Sequence, residues 1–282
     1  MVSGIKALIC NCAPHLDRLN IAWFGGEPLL ARDVVLDIGQ HASEVCAQHE
    51  MAFSAGFTTN GYLLEPALLQ RFTELQHREF QITLDGDSQW HDKTRMTANR
   101  GATFDKIWSN LIAYRSLPAT FAISLRLHLH QDNIESVRSL YSSLRRELLD
   151  DPRFSVYFQK VSNLSAGGTI GEKVLPRDRY LEAISYITTC TDHPRNDERP
   201  ISEEHLDGYI CYAAKPNSLM IRANGKIGKC TVALNDDRND LGQLHADGTI
   251  DIENDKLRRW MSGFSDLSEQ MLGCPLSTLA ST

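Results

Sequence analysis

The sequence predicts an α/β fold, a parallel sheet or part of a barrel, followed by a small second domain rich in β-hairpins. Strand-like and helix-like segments alternate from residue 20 to residue 190, and polar loops follow the strand-like segments. Near the C-terminus, Asn224-Gly225 lies between two short apolar runs, which is a strong signal for a hairpin. The first pattern predicts the sheet, and the second predicts the smaller domain.

From residue 20 onwards, five strands and five helices are predicted in the first domain, and a further helix-like stretch at 3–17 precedes them. The strand-like segments are short, apolar or alternating, and most end near glycine, asparagine or a polar loop: 20–24, 52–58, 79–84, 120–130 and 154–161. The segments with apolar residues at helical spacing are 30–47, 65–76, 104–112, 134–148 and 177–190. We predict Thr103 as the N-cap of the third helix, and a capping box of Asp132 and Glu135 at the fourth.

A polar, proline-bearing segment at 191–210 predicts a domain boundary. We predict a first domain at 1–193, a linker at 194–210 and a second domain at 211–282. In the second domain the expected elements are strands at 217–223 and 226–233, a hairpin at 241–252 and a helix near 254–262.

Composition and charge exclude several classes of protein. The 282 residues are 42% hydrophobic and carry a formal net charge of -7, so a chain-wide basic footprint for nucleic acid is missing. No apolar run approaches the roughly 18 residues of a membrane-spanning helix, and we find no export signal. Seven cysteines are odd in number and not dense, which favours a reducing compartment over a disulfide framework. We therefore expect a cytoplasmic protein.

The segment Trp23-Phe24-Gly25-Gly26-Glu27-Pro28 follows the first predicted strand. Two glycines allow the polar groups of another molecule to approach the backbone, and Pro28 ends the strand pairing. Glu27 and the exposed carbonyls at the strand end would suit a cationic ammonium group. The other interpretation is a tight turn with a surface glutamate.

Polar residues also follow the next strands. Asn60-Gly61 ends the second, and Thr83 and Asp85 end the third; their oxygens could hold ribose hydroxyls. Arg126 on the fourth strand could hold a carboxylate. Each has an ordinary interpretation as turn chemistry, but together they match an amino acid joined to a nucleoside.

These segments, FGGEPLL, TTNGYLL and ITLDGDSQWHDKTR, resemble the radical SAM superfamily, in particular enzymes with a C-terminal SPASM or twitch domain. The resemblance implies a partial (βα)6 barrel that lacks its first strand, followed by a SPASM-like or twitch-like domain. It also implies that S-adenosylmethionine binds at the strand ends, with its amino group at the GGEP segment. The implied cofactor-binding residues are Gly25, Gly26, Glu27, Pro28, Asn60, Gly61, Thr83, Asp85 and Arg126.

The resemblance extends to cysteines in the second domain. Cys211, Gly225 and Cys230 match the spacing of a family segment that ligates an auxiliary iron–sulfur cluster, and Cys274-Pro275 resembles the start of a later cysteine group. Soft thiolates select such clusters, and a hairpin brings distant thiols together. The implied metal ligands are Cys211, Cys230 and Cys274, for at most one 4Fe-4S cluster. The other interpretation is three small buried side chains.

The family's defining motif, C-x3-C-x2-C, is missing from this sequence. Cys10 and Cys12 are spaced C-x-C in a helix-like stretch, where we expect thiols to pack as core. Three interpretations stay open. The chain belongs to a radical SAM enzyme and lacks its first segment; it is a degenerate, non-catalytic paralogue that binds a peptide or partner; or it is a different α/β nucleotide binder.

The implied parent activity is reductive cleavage of S-adenosylmethionine to a 5'-deoxyadenosyl radical, which modifies a peptide or protein. The expected partners are that substrate and an electron donor such as a flavodoxin or ferredoxin, with no nucleic acid and no membrane. Four residues are candidates for acid–base chemistry by location only: His91, Asp92, His128 and His130.

Overall fold

The computed structural model describes residues 1–161, 174–189 and 208–279. The chain groups into two compact units. The larger comprises Asn20–Val35 and Ser54–His205, and the smaller comprises Met1–Leu19, Leu36–Phe53 and Leu206–Thr282. The predicted linker at 194–210 lies almost wholly outside the described residues, and the predicted domain boundaries stay a prediction.

Strands and helices alternate through the described part of the first 190 residues. In order, they are α1 (Val2–Cys12), β1 (Arg18–Trp23), α2 (Arg32–Gln48), β2 (Ala52–Thr59), α3 (Pro66–Glu74), β3 (His77–Leu84), α4 (Ser88–Thr94), α5 (Phe104–Tyr114), β4 (Ala122–Leu129), α6 (Ile134–Glu147), β5 (Phe154–Lys160) and α7 (Arg177–Thr188).

The five strands form one parallel sheet in the order β1-β2-β3-β4-β5, with β1 at an edge. The register pairs Thr59 with Ile82 and Thr83 with Arg126. The α/β prediction is therefore confirmed, and the strand ends that carry the candidate residues lie on neighbouring strands. Because parallel strands share one carboxyl edge, these residues gather there.

Two local predictions need correction. Helix α4 lies where only a loop was expected, because the Asp87 side chain accepts a hydrogen bond from Trp90 N at 3.1 Å and caps the helix. Helix α6 has Asn133 as its N-cap, so the capping box expected from Asp132 and Glu135 does not form. The Asn133 side chain instead donates to the backbone oxygens of Asp85 and His128, both at 2.8 Å.

One face of the sheet is apolar and buried, while the other is polar and half-exposed. Strand β4 shows this alternation, since Leu125 and Leu127 are fully buried, whereas Arg126 and His128 are not. The buried face packs against helices, with Phe57 of β2 4.6 Å from Phe72 of α3 between ring centroids. Burial of this face fixes the strand register and leaves the polar side chains on the opposite face.

The smaller unit contains a four-stranded antiparallel sheet. Its strands are β6 (Met220–Ile221), β7 (Lys226–Gly228), β8 (Gly242–Leu244) and β9 (Ile250–Ile252), followed by helices α8 (Asn254–Met261), α9 (Gly263–Asp266), α10 (Glu269–Gly273) and α11 (Pro275–Thr278). The predicted hairpin forms at Asn224-Gly225, where Gly225 has a φ of 85°. The strands are shorter than predicted, and the C-terminal tail is helical.

Helix α1 belongs to the smaller unit and packs on its core. Ile5 and Leu8 contact a cluster that includes Ile227, Leu244 and Trp260. Asn11 also donates from Nδ2 to the backbone oxygen of Asp247 at 3.1 Å. Across the three described ranges, no helix has the length and apolar character needed to cross a membrane.

Candidate functional site

Glu27 is held in place by three hydrogen bonds at the carboxyl ends of β1 and β2. Its Oε1 accepts from the Thr59 hydroxyl at 2.7 Å and from Leu29 N at 3.0 Å, while Oε2 accepts from Asn60 N at 2.8 Å. A short 3-10 helix begins at Pro28, with Glu27 as its N-cap. The carboxylate is therefore a fixed negative charge at the strand ends.

Gly25 and Gly26 leave the backbone beside Glu27 open. Gly25 has a φ of 154°, which L-residues rarely adopt, and a Cβ at either position would meet no atom within 4 Å. Another molecule can therefore reach the carbonyl groups of this turn directly. A fixed carboxylate beside open carbonyls fits the amino group of an amino acid such as the methionine part of S-adenosylmethionine.

The Asn60-Gly61 turn serves mainly to build the site. Asn60 Oδ1 accepts from Tyr62 N at 2.8 Å, and Thr59 Oγ1 accepts from Gly61 N at 3.1 Å. Gly61 has a φ of 78°, and its carbonyl accepts from Asn110 Nδ2 at 3.1 Å. Thr59 belongs to the TTNGYLL segment, but no role was predicted for it, although its position directly before Asn60 was a usable signal.

Thr83 and Arg126 are paired across β3 and β4. Arg126 donates from Nε to Thr83 Oγ1 at 3.0 Å, and the two residues are in register. The remaining N–H groups of Arg126 have no partner among the described residues. They can therefore bind a carboxylate from the half-exposed face of the sheet.

Asp85 is the centre of a polar cluster that also contains Thr94, Arg95 and His128. Its Oδ2 accepts from Arg95 Nε at 2.7 Å and from the Thr94 hydroxyl at 2.9 Å. Its Oδ1 lies 3.1 Å from His128 Nδ1, which donates there when it carries the proton. A ribose hydroxyl would have to share this carboxylate with groups of the protein itself.

Burial alone would raise the pKa of Asp85, whose side chain is only 12% exposed. The hydrogen bond from His128 and the positive charge of Arg95 outweigh burial, so the pKa of this carboxyl lies far below its usual range. Asp85 is therefore ionised at all ordinary pH values. Thr94 and Arg95 belong to the HDKTR segment that follows the third strand, but no role was predicted for either residue.

The other acid–base candidates have structural partners. His91 is fully buried, its Nδ1 accepts from Asp85 N at 3.4 Å, and burial lowers its pKa. Asp92 Oδ1 accepts from Thr103 N at 2.8 Å and Phe104 N at 3.0 Å, so it caps α5, for which Thr103 is the N-cap, as predicted. His130 Nδ1 accepts from Asp132 N at 3.2 Å.

The three cysteines of the second domain lie near one another but differ in exposure. Cys230 is buried in the core of the smaller unit, Cys211 is half-buried and Cys274 is exposed. Burial raises the pKa of the Cys211 thiol. Within the described ranges, however, no group of three His, Cys, Asp or Glu side chains is arranged to hold a metal ion. This arrangement does not fit a metal held by the three thiols, and their role as ligands stays a prediction.

The N-terminal thiols differ from expectation. Cys10 lies in helix α1 as predicted, but it is exposed instead of packed in the core, because it occupies the outer side of that helix. Its Sγ lies 3.4 Å from His41 Nε2. Cys12 is half-buried.

Comparison with known proteins identifies the fold. No protein-family model matches the chain, and no curated protein sequence matches it. Among solved structures, the chain is similar to native anSMEcpe with bound AdoMet, with a TM-score of 0.66 and 14% identity over 90% of this chain and 70% of that one. The same protein with bound AdoMet and Cp18Cys peptide gives a TM-score of 0.66 and 14% identity over 90% of this chain and 71% of the other.

At 14% identity this likeness shows the fold alone. The fold matches a partial radical-SAM-type barrel with a small C-terminal domain, as the sequence predicted.

Proposed function

We propose that this chain is a radical SAM-type protein that binds S-adenosylmethionine at the carboxyl ends of β1 to β4, with a parent activity of reductive SAM cleavage to modify a peptide or protein. The observation that carries the proposal is the Glu27 carboxylate, fixed by Thr59 and Asn60 beside two open glycines. The match of the fold to a protein whose structure contains AdoMet supports it.

In the proposed complex, each charged group of the amino acid part of the ligand faces a side chain of opposite charge. A carboxylate offers about four lone-pair directions, and Glu27 uses three of them, so one direction and the full charge remain for an ammonium group. The free N–H groups of Arg126 would take the carboxylate of the same amino acid. Asp85 would hold Arg95 and His128 in place around the ribose.

The chemistry of the parent activity needs an electron, which an iron–sulfur cluster supplies in the superfamily that the sequence resembles. The described residues do not form a metal site, so no step of the reaction is assigned to a cluster on this chain. What the chain itself provides in this proposal is binding and orientation of S-adenosylmethionine. An electron donor such as a flavodoxin or ferredoxin remains part of the proposal.

A peptide or protein is the proposed substrate. The support is that the structural neighbour was solved with bound Cp18Cys and Kp18Cys peptides. Tyr157 of β5 is in register with Arg126 on the polar face of the sheet, and we place the peptide there, beside the proposed S-adenosylmethionine carboxylate.

Calorimetric titration of S-adenosylmethionine tests the proposal. We expect the wild-type chain to bind, and Glu27→Gln to bind at least tenfold more weakly, because a hydrogen bond to a charged group contributes about 1.5–3 kcal/mol. Asp150→Asn is the matched control, since Asp150 pairs with Arg115 on the surface of the same unit. Absence of binding, or equal binding by wild type and Glu27→Gln, would overturn the proposal.

A second measurement separates catalysis from binding. The chain is treated with iron and sulfide under anaerobic conditions, and 5'-deoxyadenosine is measured after addition of dithionite and S-adenosylmethionine. Formation of 5'-deoxyadenosine supports the proposal that the chain is an enzyme. Binding without product supports the non-catalytic paralogue.

A further inference from the structure

A groove on the smaller unit is formed by helix α8, the short helix α9 and the loop at Pro216. It is a shallow groove of about 580 Å³ that opens widely to solvent. Pro216, Met261 and Phe264 give it apolar walls, and Arg258 and Arg259 contribute positive charge. The groove is therefore apolar and cationic at once.

The helices that line the groove are firmly anchored in the smaller unit. Trp260 is 1% exposed and donates from Nε1 to the backbone oxygen of Arg238 at 2.9 Å. Gly263 is buried, and a Cβ there would lie 3.0 Å from Leu272 N, so α9 and α10 approach each other closely at this glycine. The helices that border the groove are therefore anchored in the unit through Trp260 and Gly263.

The opposite wall is also held in place. Pro216 lies in a loop whose flanking carbonyls, those of Lys215 and Ser218, both accept hydrogen bonds from the ammonium group of Lys229. Lys229 is fully buried, so these bonds are shielded from water and fix the loop. Pro216 therefore keeps its position relative to α8.

Two large apolar side chains on this surface face solvent. Phe264 is 42% exposed, and Leu267, three residues further, is 72% exposed. Phe264 lines the groove, so contact with another molecule would remove its exposed apolar surface from water.

The arginine side chains of the groove indicate the charge of a molecule that would bind there. Arg259 has no ion pair or side-chain hydrogen bond among the described residues. Arg258 contacts Asp255 at 3.1 Å, but both side chains are at least 75% exposed, so water screens this pair. In a chain with a net charge of -7, a groove with two arginines is complementary to an acidic partner.

We propose that this groove docks a peptide segment in which an apolar side chain lies next to acidic residues. The apolar side chain fills the space between Pro216, Met261 and Phe264, and the carboxylates pair with Arg258 and Arg259. The inference rests on the proposed function only in assigning this segment to the peptide or protein substrate.

A display selection tests the specificity of the groove. A random library of 12-residue peptides is selected against the full chain, with counter-selection against the Arg258→Glu/Arg259→Glu/Phe264→Ala variant. We expect enriched sequences to place leucine, methionine or phenylalanine beside aspartate or glutamate. No enrichment over the bare support, or enrichment of basic peptides, would overturn the proposal.

Fluorescence anisotropy with the most enriched peptide measures the contributions. We expect Arg258→Glu/Arg259→Glu to weaken binding at least tenfold and Phe264→Ala about tenfold, with affinity also falling as salt rises. Arg179→Glu is the matched control, because Arg179 makes a similar i,i+3 pair with Glu182 and is 73% exposed. Unchanged affinity in both groove variants would refute the assignment.

Folding and the proposed function are checked on the same samples. The substituted side chains are exposed, so thermal unfolding should be within a few degrees of wild type. The groove variants should bind S-adenosylmethionine as wild type does. Peptide binding without S-adenosylmethionine binding would refute the proposed function and leave the groove assignment standing. S-adenosylmethionine binding without peptide binding would refute the groove assignment and leave the proposed function standing.

Discussion

Replacement of Asp85 by asparagine tests whether one carboxylate holds the ends of β3 and β4 together. Asp85 accepts from Arg95 and Thr94 through one oxygen and contacts His128 through the other. Asparagine keeps the shape of the side chain but removes the charge, and its amide group donates where the carboxylate accepted. Arg95 would then lose its only ion pair among the described residues.

The expected loss follows from burial. Breaking a buried ion pair by removing one partner costs about 3–5 kcal/mol. Arg95 is 32% exposed and can turn toward water, and asparagine still accepts one hydrogen bond, so we expect about 2–3 kcal/mol. For a unit of this size, that corresponds to a decrease in Tm of roughly 4–12 °C.

Urea unfolding followed by tryptophan fluorescence measures this loss. Trp23, Trp90 and Trp108 all lie in the larger unit, so the signal reports mainly on it. Asp150→Asn, which breaks an exposed pair with Arg115, should cost less than about 1 kcal/mol. A loss below about 0.5 kcal/mol for Asp85→Asn would refute the view that Asp85 organises this edge.

The same variant predicts a pH dependence. The pKa of Asp85 is lowered in the folded chain, so its contribution is fully present above its unfolded pKa of about 3.9 and is lost as pH falls below that value. The stability difference between wild type and Asp85→Asn should therefore be constant from pH 5 to 7 and shrink below about pH 4. A difference that grows on acidification would contradict this sign.

Three further predictions follow from single contacts. Gly86→Ala should cost about 2–4 kcal/mol, because Gly86 has a φ of 149° and a Cβ would collide with Ser136 Oγ; Ser136→Ala should recover part of this loss in urea unfolding. Asp92→Ala should cost about 1–2 kcal/mol in the same assay by removing the cap of helix α5, and no loss would exclude that role. In alkylation followed by mass spectrometry, exposed Cys10 should react at least tenfold faster than Cys46, which is buried and has a raised pKa; equal rates would contradict the described burial.

The order of strands and helices was predictable because each element carries its own pattern. Alternation in β4 and helical spacing in α5 are local properties, and both elements lie within two or three residues of the prediction. Helix α4 and the cap at Asn133 were not predicted, because short helices depend on which side chain finds a backbone partner. Asn133 was selected over Asp132 by the two carbonyls of Asp85 and His128.

The position of the candidate site in the fold was predictable from the sequence, but the hydrogen bonds and ion pairs within it were not. Glycines and polar residues after successive strands indicated the carboxyl edge of a parallel sheet, and Glu27 lies there with Thr59 and Asn60. The ion pair between Asp85 and Arg95 was not predictable, because the two residues are ten positions apart and are brought together by helix α4.

The sequence by itself determined the α/β class, the parallel sheet, the hairpin at Asn224-Gly225 and the strand ends that carry the candidate residues. These follow from periodicity and turn chemistry, which act over a few residues. Only the tertiary structure decided that Asp85 accepts from Arg95 and Thr94 and lies against His128, and that α8, α9 and Pro216 border a groove. Those features depend on distances between residues far apart in the chain, which are set by tertiary packing within each unit and not by any local pattern.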